Sequence, residues 1–172
     1  MKRIGVFIGV AGILAGSVGA QQRHRGPELD RLAFLAGTFD GTSRFAPPGA
    51  ASQTGTMVFR GEWDLDGAIL KANYEQRLGG RVVSGHLIFR WRPRDSTYAF
   101  EGYANTLMDP HRLSGRWEAG GEGRLVFEGT MGQYAFREIW EPRGRDTLVT
   151  AMEAKQGEQW VRISESVLTR TR

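Results

Sequence analysis

The 172-residue sequence contains no cysteine. That absence removes disulfides, thiolate metal sites, cysteine nucleophiles and the lipid-bearing cysteine of a lipoprotein. Histidine is nearly absent too, with three residues. No two of them share metal-ligand spacing, and neither an H-E-x-x-H segment nor a carboxylate-rich loop occurs, so no metal is expected. No G-x-S-x-G elbow is present, and the few serines have no His/Asp partners in a recognisable order. Gly120-Gly121-Glu122-Gly123 lies between strand-like segments and opens no helix, which argues against a phosphate cradle. The chain also lacks an excess of either charge: 23 Lys and Arg face 19 Asp and Glu, a net +4. These charges form no basic block and no nucleic-acid reader motif, so no nucleic-acid partner is expected.

The apolar run Ile4 to Leu14 is shorter than the ~20 residues needed to span a bilayer. It follows Lys2 and Arg3 and precedes Ala15-Gly16-Ser17-Val18-Gly19-Ala20. A basic start, a short apolar core and a small-residue cleavage site read as a signal peptide over 1–20. Cleavage after Ala20 leaves 152 residues with 21 basic and 19 acidic side chains, no integral membrane segment and a net charge of +2. The mature protein is therefore expected to be exported, periplasmic or secreted, as a monomer or weak dimer.

With 40% apolar and 24% charged residues the remainder is globular, one domain over 27–172 after a polar tail, 21–26, expected to be disordered. Glycine is abundant, 24 residues without a Gly-X-Y period, so the surplus belongs to turns and bulges. Pro27 at a first helical position, apolar residues at Leu29, Leu32, Phe34 and Leu35, and Gly37 beyond them predict one short helix.

From Thr38 the apolar period becomes two. Met57, Phe59, Trp63 and Leu65 share one face, and Asp66-Gly67 suits a two-residue hairpin. Leu70, Ala72, Tyr74 and Leu78 share the next face before Gly79-Gly80. With a first strand over 38–46, the pattern repeats over 81–91, 97–106, 112–118, 123–128, 132–141, 145–155 and 159–170, about ten strands in all. Short connections force antiparallel neighbours, and closure removes the two open edges such a sheet would leave. The predicted fold is all-β: a single antiparallel up-and-down barrel of about ten strands with a short N-terminal helix near one mouth. A two-sheet sandwich is the alternative.

These segments resemble a known family. Leu32-Ala33-Phe34-Leu35-Ala36-Gly37-Thr38-Phe39-Asp40-Gly41 is similar to the "L-x-x-L-x-G-x-W-x-G" entry of lipocalin-like (calycin-type) bacterial barrels, with Phe39 where tryptophan is usual. Within that group the chain resembles the domain-of-unknown-function family fifteen-seventy-nine. Trp63-Asp64-Leu65-Asp66-Gly67-Ala68-Ile69-Leu70 resembles that family's hairpin, "L-G-G-R-F-L". Phe136-Arg137-Glu138-Ile139-Trp140 and Ile163 to Arg170 resemble its penultimate and final strands. The resemblance implies a barrel with an internal cavity and brings no agreed catalytic residues. Nitrobindin-like barrels, more distantly similar, bind haem through a histidine late in the chain. Here the last histidine is His111, so haem and other cofactors are not expected.

The informative residues are carboxylates on apolar faces. Glu138 shares its parity with Tyr134, Phe136 and Trp140, and Glu165 shares its parity with Val161, Ile163 and Val167. An inward carboxylate costs several kcal/mol unless paired, so each calls for a partner, such as Arg90 or Arg137, or else faces outward. His86 shares its parity with Ser84 and Ile88 and reads as a rim or outward residue, while His111, after Asp109-Pro110, reads as a surface turn. The candidate ligand-binding residues are Glu138, Trp140, Phe136, Trp63, His86 and Glu165. The expected function is an exported barrel that binds a small apolar or amphipathic molecule in its interior. The alternatives are an isomerase or cyclase using Glu138 or His86 as acid or base, and a structural or interaction module whose interior is filled.

Overall fold

The computed structural model describes residues 25–171. Residues 1–20, read as a signal peptide, and 21–24 of the tail lie outside the described residues. The two described tail residues are held in place. The Gly26 carbonyl accepts from the amides of Leu29 and Asp30, and the Arg25 guanidinium lies 4.1 Å over the Trp63 ring.

A single α-helical turn, α1 (Pro27–Asp30), runs into a 3₁₀ turn over Arg31–Leu35. Ten antiparallel strands follow: β1 (Gly37–Phe45), β2 (Gln53–Asp64), β3 (Ile69–Leu78), β4 (Arg81–Arg92), β5 (Thr97–Ala104), β6 (His111–Glu118), β7 (Arg124–Met131), β8 (Tyr134–Arg143), β9 (Thr147–Gln156) and β10 (Gln159–Arg170). Each pairs with its neighbours in sequence, and β1 pairs with β10 from Phe39↔Arg170 to Phe45↔Ser164. The barrel closes, as the edge argument predicts, and the sandwich alternative is excluded.

The N-terminal turns plug one end. Leu32 and Leu35 are fully buried, Phe34 meets Trp117 edge-on at 5.9 Å, and the Tyr98 hydroxyl donates to Glu28 O at 2.8 Å. Gly61 makes room for the plug, since a Cβ there would stand 2.0 Å from the Leu35 carbonyl. Arg170 ties the last strand to the same end by donating to Ala36 O at 2.5 Å. No helix among the described residues is long and apolar enough to cross a membrane.

Three local expectations are corrected. The β2–β3 connection is a 3₁₀ turn over Leu65–Gly67, with positive φ at Leu65, Asp66 and Gly67. Strand β2 stops at Asp64, whose carboxylate accepts from the Leu65 amide, and Leu65 leaves the core face to stand 67% exposed. In β10 the register slips between Arg162 and Ser164, a β-bulge that exchanges the two faces. Val161 faces inward before the bulge and Ser164, Ser166 and Leu168 after it, so Glu165 and Val167 face outward. Finally, β6 begins at His111, which belongs to the strand and not to the preceding turn.

The closing seam generates a prediction. Deleting 164–172 removes the partner of β1 and strips Ser166, Leu168 and Arg170 from the interior. The truncated chain is expected to lose its cooperative thermal transition and to associate through exposed edges. A monomer with an unchanged midpoint would contradict the seam's role.

Candidate functional site

The barrel interior divides along its axis. Toward the plug it is filled by rings: Phe39 lies 6.1 Å from Phe59, Phe59 5.4 Å from Trp140, Trp140 5.3 Å from Phe89, and Phe89 5.2 Å from Phe100. All five are buried. Toward the other end the inward side chains become short or half-buried, among them Gln76, Val83, Ala104, Met131, Met152 and Val161. This partly exposed end of the lumen, above the aromatic stack, is called the cup.

Three titratable groups converge at the floor of this cup. Glu138 on β8 is buried, and its Oε1 lies 3.1 Å from His111 Nε2 on β6. The intervening strand β7 presents Gly129 on its inner face, where a Cβ would stand 2.7 Å from the Leu113 side chain. The His111 ring covers Gly102 of β5, where a Cβ would come within 2.3 Å of the imidazole, and it stands 5.3 Å from Phe100 and 6.3 Å from Phe136. A proton on Nε2 serves the carboxylate, which leaves Nδ1 buried and without a partner among the described residues. Tyr74 reaches in from β3, its ring over Gly85. Burial, with a contribution from the Glu138 carboxylate, pushes its phenol up to about 12. Its hydroxyl therefore keeps its proton across the physiological range and remains a donor. A second polar group lies on the Tyr74 side, opposite Glu138, where Gln76 Nε2 donates to Ser43 Oγ at 2.5 Å and Ser166 Oγ lies 2.8 Å from Ser43 Oγ.

The structure brings together only some of the residues singled out in the sequence. Glu138 and Phe136 are at the cup floor, and Trp140 sits one inward position deeper, in the ring stack. Trp63 is at the plugged end under Arg25. Glu165 is on the outer surface, paired with Arg162. His86 is outside as well, with its Nδ1 bonded to Asn73 Oδ1. Neither Arg90 nor Arg137 partners Glu138. Arg137 faces out to Glu153 at 2.6 Å and Arg90 to Glu101 at 3.1 Å. Sequence reasoning missed His111 and the role of Tyr74. The available signal for His111 was its parity with Leu113 and Trp117, which the Asp109-Pro110 turn obscured.

Outside the barrel the register aligns Arg60, Asn73, His86 and Tyr103 in one row across β2 to β5, along a concavity of about 490 Å³. No group of three His, Asp or Glu side chains among the described residues could hold a metal ion.

No family model matches the sequence, and no curated protein matches it. Solved structures do. Rv2717c from M. tuberculosis aligns with a TM-score of 0.68 at 16% identity, over 85% of this chain and 98% of that one. The S-type phycobiliprotein lyase CPES from Guillardia theta aligns with a TM-score of 0.56 at 10% identity, over 84% and 91%. The fold is a lipocalin-like barrel. At these identities the likeness is one of fold, and the chemistry rests on the cup itself.

The His111–Glu138 pair makes a measurable claim. Glu138→Leu and His111→Phe each leave one buried polar partner alone and are expected to cost about 3 kcal/mol in denaturant unfolding. The double variant is expected to cost little more than either single one. Strictly additive losses would show that the two side chains do not support each other.

Proposed function

We propose that this protein is an exported lipocalin-like barrel that holds a small apolar or amphipathic molecule in the cup opposite the helical plug. The observation that carries this reading is the buried Glu138–His111 pair, with Tyr74, at the floor of a mostly apolar cup. A few convergent polar groups in an apolar concavity are what orients a small ligand. The ring stack bounds the ligand from below, so the binding volume is the cup and not the whole lumen. Export to the periplasm or beyond, a monomeric or weakly dimeric state and membership of the domain-of-unknown-function family fifteen-seventy-nine belong to the same reading.

One observation favours a second reading. An imidazole held by a carboxylate, beside a protonated phenol, is a set of groups suited to acid–base chemistry. One of the structural neighbours is named a lyase. A cavity isomerase or cyclase would use His111 with Glu138 and Tyr74, and His86, being outside, would take no part.

Native mass spectrometry of protein purified from its own host tests the binding reading. The expected result is a mass excess that disappears on denaturation and is lost or reduced in a Met152→Trp variant, whose ring would occupy the cup. Protein that emerges ligand-free and takes up no hydrophobic dye would favour the filled-interior module.

A further inference from the structure

Accepting that the cup is the ligand site, we infer that it selects neutral molecules bearing a hydrogen-bond acceptor, such as a carbonyl, and discriminates against carboxylate anions of the same shape. Below the rim, the inward positions of the cup carry no Lys or Arg among the described residues. Arg81, the first residue of β4, stands exposed at the rim. The titratable groups lie at the floor, so a ligand's polar end is drawn downward. There it meets the carboxylate of Glu138, whose partner is the buried imidazole of His111. A carboxylate head placed beside Glu138 would lose its hydration and gain a like charge as neighbour, with no Lys or Arg at the floor to offset it.

The other floor group invites a different head. The Tyr74 hydroxyl makes no hydrogen bond to any described residue, and it is not among the buried atoms cut off from solvent. Its raised pKa, from burial first and Glu138 second, keeps it a donor. A carbonyl or ether oxygen can accept from it. The Tyr74 ring is held by Gly85 on the next strand, where a Cβ would come within 2.6 Å of it, so the donor is positioned before the ligand arrives. Gln76, two residues along β3 from Tyr74, and the Ser43–Ser166 pair add uncharged polarity on the same wall as Tyr74 and no net charge.

The test is competition against Nile red, a neutral dye, in the cup of the full mature protein. Decanoate and methyl decanoate are compared at neutral pH, where the acid is ionised. The ester is expected to displace the dye at a concentration more than about tenfold lower than the acid. Tyr74→Phe is expected to weaken ester binding roughly fivefold, the net worth of one neutral hydrogen bond, and to leave decanoate unchanged. Glu138→Gln is expected to narrow the gap between acid and ester. Decanoate binding as tightly as its ester would overturn the inference while leaving the cup a ligand site, since the head would then lie at the rim beside Arg81. A dye that never binds would instead remove the cup reading, and the selectivity with it.

Discussion

The pairing of β1 with β10 is the constraint on which the interior depends. Nine hairpin connections alone make a twisted sheet with two free edges and no inside. Only when Phe39 meets Arg170 and Phe45 meets Ser164 does the inward face of every strand look onto a common lumen. Closure also sets the lumen's chemistry. It brings β3 opposite β8, so that Tyr74 and Glu138 sense one another across the interior although 64 positions separate them in the chain. The helical plug exploits the same seam, because Arg170 at the end of β10 donates to the carbonyl of Ala36 just before β1.

Within the closed barrel, packing and polarity divide the axis. Large rings exclude water near the plug and make a rigid base. Glycines at inward positions of neighbouring strands then admit His111 and Tyr74, two flat polar rings lying against backbone. The buried carboxylate would be costly by itself and is tolerated because the imidazole donates to it. A site built in this way has its polar groups fixed by the strands and not by loops, so little rearrangement is needed to receive a ligand.

Much of this was legible in the sequence. Alternation of apolar residues with glycine turns specified strands, antiparallel neighbours and closure. The parity of Glu138 with Phe136 and Trp140 placed it inside. The failures share a cause, which is that period-two counting assumes an unbroken ladder. The bulge before Ser164 exchanges the faces of β10 and sends Glu165 to the surface. The turn at Leu65 begins one residue before the counting would end the strand. His111 was hidden because a proline turn immediately precedes it, although it is the first residue of a strand. Trp63 lies on an inward face, yet at the plugged end, and parity carries no information about depth along the axis. Partner choice was equally out of reach: Glu138 bonds across β7 to a residue 27 positions away, past the nearer arginine at 137.

The end of the barrel opposite the plug is the proposed ligand site. Met57, Met131 and Met152 face that end, while Met108 stands fully exposed on the β5–β6 loop. Methyl-¹³C methionine NMR of the protein titrated with a neutral apolar ester reads these positions separately. Saturable shifts are expected at Met57, Met131 and Met152, with Met108 unchanged. Shifts confined to Met108, or none at any methionine, would contradict it.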